Sequence, residues 1–294
     1  MSLYQRPNLD PDRPAIICCA LSGVVADRRQ CPAIPYTPEE YASEARRAYE
    51  AGASMVHIHA RTPDGTPSFE VEDYRNIREA ILAEVPIVIN FSTGAMGVSV
   101  EKRLDYIRAL KPAVGALNMG TMNYAKYSER RKSFVFDFVF SNPISEIIAF
   151  IKGFQEVGTR PEMECFDAGH VGTLAPLIDM GLLTPPYEVS LIMGVTGGIP
   201  GTVECLVSQV ALLPPGTEWQ LVSLSLDQWR LLAAAAAMGG NVRVGLEDNF
   251  YLAPGQMARS NGDLVAKAAR MITDQGRRVA TADECRARLG LVHP

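Results

Sequence analysis

Residues 15–59 read AIICCALSGVVADRRQCPAIPYTPEEYASEARRAYEAGASMVHIH, and this stretch contains the pattern that decides the fold. The apolar runs at 15–21 and 55–59 predict two short buried strands. Between them, Thr37 is a favourable N-cap, a proline suits the first helical position, and Glu40 completes a capping box. A strand, a helix and a second strand in this order are typical of a parallel βαβ unit.

The rest of the chain repeats this alternation of short apolar runs with longer helix-like segments. Further strands are predicted at 86–91, 114–119, 161–166, 188–195, 219–224 and 241–246, and helices at 71–84, 100–110, 143–157, 173–181, 202–213, 227–238, 262–273 and from Thr281. Eight strand–helix units predict a closed (β/α)8 TIM barrel, a single catalytic domain over residues 1–294. A doubly wound open sheet is the alternative, weakened by the absence of GxGxxG after the first strand. The apolar segment 134–140 could be an additional strand or a core loop.

Composition narrows the class of protein. The 294 residues are 47% hydrophobic and 21% charged, as in ordinary globular proteins, and the formal net charge of -5 argues against a nucleic-acid partner. No apolar run reaches about 18 residues, so no membrane span is predicted. The polar N-terminus lacks the apolar region of a signal peptide, and the six cysteines form no CxxC pair. We therefore expect a cytoplasmic protein with reduced thiols.

Two histidines and a carboxylate lie at predicted strand ends, where barrel enzymes place their catalytic groups. His57 and His59 are two residues apart on a strand, so both imidazoles lie on one face and could reach one metal ion. The alternative is that both histidines only form hydrogen bonds in a polar barrel mouth. Glu247 follows the eighth strand, and two histidines with one carboxylate form a common catalytic zinc site. The alternative for Glu247 and Asp248 is a helix cap, although the next predicted helix begins later, near Gly262.

Arg243 lies four residues before Glu247, on the same face of the strand, and could pair with a carboxylate. Such a pair could be a structural ion pair or an orienting contact for catalysis, and the spacing fits both. Glu247 and Asp248 are neighbours, and adjacent residues on an extended strand point to opposite sides. One ion therefore need not bind both carboxylates, and a turn of the chain at this point could aim Asp248 at the substrate.

Two loops carry further polar groups. Ser92, Thr93 and Gly94 follow the third strand, and their hydroxyls and backbone N–H groups could bind a carboxylate, although a turn with a helix cap is more common for such a tripeptide. The glycine-rich segment 194–201 could bind a phosphate, move, or only connect two elements tightly. His170 stands alone after the fifth strand and is more typical of a hydrogen-bonded loop residue than of a metal ligand.

Several motifs along the chain are shared with one family. They are YTPEEY at 36–41, EAGASMVHIHARTPDGTPS at 50–68, NFSTG at 90–94, NMGT at 118–121, PEME at 161–164, GGNVRVGLEDN at 239–249 and SNGDLV at 260–265. On these motifs the chain resembles the β-keto acid cleavage enzymes, formerly DUF849, which include a 3-keto-5-aminohexanoate cleavage enzyme. HxHxR and RVGLEDN together are highly specific, and the resemblance runs from the first predicted strand to the C-terminus.

The resemblance implies a (β/α)8 barrel, usually a homotetramer, that holds one divalent metal, normally zinc. It also implies a retro-Claisen-type exchange, in which a β-keto acid and acetyl-CoA become acetoacetate and a new acyl-CoA. The small-molecule partners would be the keto acid and acetyl-CoA as co-substrate. A zinc hydrolase that activates water, or a metal-free ligand-binding barrel, is the alternative function.

The resemblance also implies roles for individual residues. His57, His59 and Glu247 correspond to the metal ligands, and Asp248, oriented by Arg243, corresponds to the general base. The implied substrate pocket contains Ser92 as a carboxylate contact, together with Thr93, Gly94, Asn118 and Glu164.

The chain departs from the aminohexanoate-cleaving member at two pocket positions. Val25 replaces a glutamate after the first strand, which favours a substrate with a neutral or apolar tail over an amino-bearing one. Ala116 replaces a threonine on the fourth strand, which leaves carboxylate binding to other groups, such as the backbone after Ser92. His170 stands where many members have an apolar residue, and could reach the pocket.

Overall fold

A closed barrel of parallel strands forms the centre of the computed structural model, which describes residues 10–293. In chain order the strands of the described residues, within the barrel and outside it, are β1 (Ile17–Ala20), β2 (Met55–Ile58), β3 (Val88–Ser92), β4 (Val114–Asn118), β5 (Met122–Ser128), β6 (Ser133–Phe140), β7 (Arg160–Cys165), β8 (Tyr187–Met193), β9 (Thr217–Ser223), β10 (Asn241–Val244), β11 (Tyr251–Ala253) and β12 (Gln256–Met257). The barrel order is β1-β10-β9-β8-β7-β4-β3-β2, which confirms the predicted (β/α)8 TIM barrel. The β5–β6 and β11–β12 pairs are separate hairpins at the strand ends.

Helices surround the barrel and begin where the sequence provides caps. The described α-helices are α1 (Pro38–Glu50), α2 (Val71–Glu84), α3 (Val100–Leu110), α4 (Ile144–Val157), α5 (Ala168–Gly172), α6 (Leu174–Asp179), α7 (Val203–Leu212), α8 (Gln228–Ala237), α9 (Asn261–Asp274) and α10 (Ala282–Leu289). Thr37 and Glu40 form the predicted capping box of α1. The helix predicted at 173–181 is the shorter α6, and the additional helix α5 ends immediately before it. None of the helices in residues 10–293 has both the length and the apolar character needed to cross a bilayer.

Aromatic packing outside the barrel positions the end of β3. Tyr74 of α2 stacks on Tyr106 of α3 with ring centroids 4.0 Å apart, and Phe91 of β3 packs edge-on against Tyr74 at 4.8 Å. Both tyrosine hydroxyls donate to the carbonyl of Ser92, at 3.4 Å from Tyr74 and 2.7 Å from Tyr106. The two helices therefore hold in place the strand end that carries the NFSTG motif.

The barrel interior changes character along its axis. At the end where the strands begin, an apolar cluster that includes Leu289 of α10 lies beside the buried side chains of Glu188 and Glu218. Farther along the axis, Glu162 of β7 accepts hydrogen bonds from Asn90, Ser190 and Gln220, the last at 2.8 Å. Polar groups therefore continue through the interior to the strand C-termini, the end at which barrel enzymes place their active sites.

The apolar segment 134–140 is an additional strand rather than a core loop. It is β6, and it pairs antiparallel with β5 in a hairpin inserted between β4 and α4. Alternate side chains of β6 are exposed, with Val135 at 48% and Val139 at 64% relative accessibility. The hairpin therefore lies on the surface and does not belong to the barrel core.

Candidate metal centre

The three predicted metal ligands converge at the C-terminal mouth of the barrel. Nε2 of His57 lies 3.8 Å from Oε2 of Glu247, and Nε2 of His59 lies 3.5 Å from Oε1 of the same carboxylate. One ligand atom from each of the three residues lies within 4.8 Å of the others. Zinc bonds of about 2.1 Å in a tetrahedral site place neighbouring ligand atoms roughly 3.4 Å apart, so this spacing suits one ion.

Several ligand atoms of these three residues are free to bind a cation. Three buried atoms of this set have no hydrogen-bond partner among the described residues. They are the two ring nitrogens of His57 and Oε2 of Glu247. Burial and the nearby Arg243 hold the pKa of His57 well below its usual value, so its imidazole is neutral and can ligate. Burial opposes the charge of Glu247, but the neighbouring Arg243 holds the pKa of Glu247 well below its usual value.

A turn after β10 aims Glu247 and Asp248 at the same place. The backbone N–H groups of Asp248 and Asn249 both donate to the carbonyl of Gly245, at 3.1 Å and 3.0 Å. Asn261, from the SNGDLV motif, accepts from the N–H of Leu246 at 3.0 Å and holds the turn against β1. The chain is therefore no longer extended here, and the turn considered from the sequence brings both carboxylates to Arg243.

One buried arginine forms ion pairs with three carboxylates, and one of these is the predicted ligand Glu247. Arg243, 3% exposed, lies 2.7 Å from Glu247, 2.9 Å from Asp248 and 3.1 Å from Glu164. Nε and Nη2 of Arg243 donate to both oxygens of Asp248, at 2.9 Å and 3.1 Å, which fixes the direction of that carboxylate. Burial raises the pKa of Asp248 to about 6, and burial together with Glu162 raises the pKa of Glu164 to about 8.

The predicted carboxylate-binding tripeptide lies beside this cluster, but its members differ. A Cβ atom added to Gly94 would lie 3.4 Å from Nδ2 of Asn118, 3.5 Å from Oγ of Ser92 and 4.0 Å from Cε1 of His59. Ser92, Gly94 and Asn118 therefore share one space with His59. The hydroxyl of Thr93 instead donates to the carbonyl of Ala116 at 2.6 Å, so its proton is used within the barrel wall. The N–H of Gly94 donates to Oγ of Ser92 at 3.2 Å, as in the predicted turn.

The remaining predicted pocket residues lie at different depths. Ala116 is fully buried in β4, whereas Val25 lies in the loop after β1 with 67% of its surface exposed. His170 accepts a hydrogen bond from the N–H of Phe166 at 3.2 Å through Nδ1 and packs against Gly120. That contact is typical of the hydrogen-bonded loop histidine considered from the sequence.

Two residues at the site were not predicted from the sequence. Gly23 has a φ of 58°, and a Cβ atom there would lie 2.6 Å from Cγ of Glu247, so only glycine lets the β1 loop approach this carboxylate. Tyr124 of β5 lies over the mouth, and burial, followed by the charges of Glu247 and Asp248, raises the pKa of Tyr124 to about 12. A serine–glycine pair directly after a strand was the available signal for Gly23.

A parallel eight-stranded barrel with two histidines and three carboxylates gathered at its C-terminal mouth has the architecture of a barrel enzyme. The family model described as "beta-keto acid cleavage enzyme" matches residues 14–291, and the chain belongs to this family. It is therefore an enzyme of the acyltransferase type.

Two curated relatives cover nearly the whole chain. The 3-keto-5-aminohexanoate cleavage enzyme of Acetoanaerobium sticklandii is 37% identical over 94% of this chain and 98% of its own. The 3,5-dioxohexanoate:acetyl-CoA acetone transferase of Paraburkholderia graminis is 33% identical over 95% of this chain and 96% of its own. Among solved structures, ObcA in a binary complex with oxaloacetate superposes with a TM-score of 0.74 and 22% identity, covering 88% of this chain and 68% of that one. This likeness agrees with the barrel fold.

Proposed function

We propose that this enzyme transfers the acyl group of a β-keto acid to CoA in a metal-dependent exchange with acetyl-CoA, releasing acetoacetate. The observation that carries the proposal is the juxtaposition of the His57–His59–Glu247 donor set with the Arg243–Asp248 ion pair. His57, His59 and Glu247 would hold Zn²⁺ or another divalent ion, which supplies Lewis acidity towards the keto oxygen when bound.

The residues around the donor set suit the other steps. Ser92 and Asn118 bind the substrate carboxylate, and Gly94 leaves room for it beside His59. Asp248, held by Arg243, removes a proton from C2 of the keto acid. Thr93 contributes to the pocket by position rather than through its hydroxyl, and Glu164 lines the pocket next to Arg243.

Asp248 is the only proton carrier that the exchange needs, because one proton leaves the keto acid and one returns to the product. The C2 carbanion attacks the acetyl carbonyl carbon, a carbon–carbon bond forms, and the CoA thiolate leaves. The thiolate then attacks C3 of the original keto acid, and the C2–C3 bond breaks to give the new acyl-CoA. The remaining carbanion takes the proton back from Asp248 and becomes acetoacetate.

We infer a substrate with a neutral or apolar tail. Val25 offers no charge to pair with an ammonium group, and Ala116 offers no hydroxyl. The relative named for 3,5-dioxohexanoate, a keto acid without an amino group, supports this choice.

We further infer that residues 1–294 act as one catalytic domain in a cytoplasmic homo-oligomer, a tetramer. The described cysteines are all free thiols, which suits a reducing compartment. The exposed Val135 and Val139 on the outer face of β6 are suited to contact a second copy of the chain. Light scattering on the purified protein measures the mass.

A screen of β-keto acids with acetyl-CoA, with acetoacetate as the measured product, tests the reaction. We expect turnover only when both the keto acid and acetyl-CoA are present and the enzyme holds a divalent metal. Cleavage that continues without acetyl-CoA would indicate the water-activating hydrolase instead. Keto-acid binding without turnover of any acid in the screen would indicate a binding barrel.

A further inference from the structure

The β5–β6 hairpin is attached to the barrel mouth at its base. β5 begins at Met122, shortly after β4 ends at the pocket residue Asn118. The N–H of Ala125 donates to the carbonyl of Thr196 at 3.2 Å, which joins β5 to the glycine-rich segment 194–201. A side chain at Gly197 would collide with the backbone of Asn123, so this segment connects tightly to the hairpin.

One face of the hairpin is an aromatic strip that starts at the mouth. Tyr124 lies 6.2 Å from Phe166, the residue after β7, and stacks on Phe138 at 5.3 Å and Phe136 at 6.3 Å between ring centroids. Phe166 is buried, whereas the rings of Tyr124, Phe136 and Phe138 are only half-buried, and Phe140 adds an edge contact at 5.9 Å. The strip, defined by these five aromatic residues, therefore offers an apolar surface that leads outward from the metal centre.

The far end of the strip carries concentrated positive charge. Lys126 lies opposite Phe136 in the hairpin register, and the tip contributes Arg130, Arg131 and Lys132 against a single carboxylate, Glu129. All four cations are exposed, and within residues 10–293 none has a carboxylate at ion-pair distance. Such a patch on a chain of net charge -5 favours an anionic ligand at this position.

We propose that the hairpin binds acetyl-CoA, with the nucleotide phosphates at the basic tip and the pantetheine arm along the aromatic strip. This inference rests on the proposed function and locates its co-substrate. CoA joins a phosphate-rich anionic nucleotide to a long, largely uncharged arm that ends in the thioester. A seven-residue strand such as β5 spans about 23 Å, a length comparable to that of the extended arm. The thioester then reaches the metal centre while the phosphates stay at the surface.

The test compares acetyl-CoA with acetyl-pantetheine, which has the same thioester and arm but no nucleotide. In a Lys126→Ala/Arg130→Ala/Arg131→Ala variant we expect KM for acetyl-CoA to rise roughly tenfold or more. KM for acetyl-pantetheine, KM for the keto acid and kcat should change less than about twofold. Lys132, which has a left-handed φ of 52°, is kept so that the residues of the turn stay unchanged.

A charge-matched control removes exposed cations from the outer helices. Arg46→Ala/Lys152→Ala/Arg270→Ala, which removes three cations as the tip variant does, should leave the KM for acetyl-CoA unchanged. KM of the parent enzyme for acetyl-CoA should also rise with ionic strength, and this dependence should weaken in the tip variant but not in the control. Arg130→Glu/Arg131→Glu, which reverses charge, should raise KM for acetyl-CoA further.

Three results would overturn the proposal. In the first, the tip variant keeps its KM for acetyl-CoA. In the second, KM rises equally for acetyl-CoA and acetyl-pantetheine, which indicates general damage to the mouth. In the third, the rise in KM for acetyl-CoA accompanies a fall in oligomer mass, which indicates that the tip binds a second copy of the chain. If the parent enzyme uses neither thioester, the proposed function itself fails.

Discussion

Two arginine–carboxylate clusters lie at opposite ends of the same barrel, and they differ in the ratio of their charges. At the strand N-termini, Glu218 receives two arginines, Arg13 and Arg288. At the C-terminal mouth, a single arginine, Arg243, faces three carboxylates. In the first cluster two arginines share the one carboxylate that they contact and lie partly in solvent, whereas the second is buried and has more carboxylates than arginines.

The difference separates a structural ion pair from a site built for a cation. A buried excess of carboxylates is costly unless another positive charge offsets it. A divalent ion held by His57, His59 and Glu247 would supply that charge next to Arg243. The Glu218 cluster needs no such ion, and α10 covers it through Arg288.

Removal of one histidine ligand should have the largest effect on the mouth. We expect His59→Ala to lose most of the bound metal and all measurable activity, because a two-ligand site holds zinc poorly. Elemental analysis should find about one divalent ion per chain in the parent protein. Full metal retention in both His57→Ala and His59→Ala would show that the ligand set is wrong.

Loss of the proposed base should separate chemistry from metal binding. Asp248→Asn keeps the shape and removes the proton acceptor, so we expect near-normal metal content and kcat lower by ~10²-fold or more. Exchange of the C2 hydrogens of the keto acid with deuterated solvent should slow in parallel. Release of the metal, or an unchanged kcat, would assign the proton transfer to another group.

Local signals explain which parts of the fold could be predicted from the sequence. Helices α2 and α3 match the prediction at both ends, because apolar periodicity and first-turn residues are encoded within each segment. Predicted strands such as 15–21 are too long, because the apolar run continues beyond the hydrogen-bonded ladder of β1. β5 was missed because its sequence, MNYAKYS, mixes polar and apolar residues on an exposed hairpin.

In the candidate site, too, only the locally encoded features could be predicted from the sequence. His57 and His59 share a face by strand geometry alone, so their convergence could be predicted. For Asp248 the sequence leaves two directions open, because its direction depends on a turn that Asn261 stabilises from α9. The contact of Gly23 with Glu247 likewise joins residues far apart in sequence.

A change of specificity should be smaller than the loss of ligand or base. We expect Val25→Glu to raise kcat/KM for an amino-substituted β-keto acid, relative to a simple aliphatic one, by about threefold to tenfold. The side chain is largely exposed, so a new ion pair there is weakened by solvent. Competition assays with both acids measure the ratio. A parent enzyme that already prefers the amino-substituted acid would point to another acidic group, such as Glu164.

The smallest functional effect should come from the other end of the barrel. Glu218→Gln keeps the shape of the side chain but removes the charge that Arg13 and Arg288 contact. We expect the free energy of unfolding to fall by about 1–3 kcal/mol, because partial exposure lets water solvate both arginines. Thermal unfolding should register this as a lower Tm, while metal content and kcat stay at the parent values.

The matched substitution Glu247→Gln makes the comparison quantitative. It is the same chemical change at the mouth, where it removes a metal ligand and one partner of Arg243. We expect it to release metal and abolish turnover, with or without a loss of stability. Equal metal loss in Glu218→Gln and Glu247→Gln would contradict the division of roles, because it would mean that metal retention reports overall stability rather than a local ligand set.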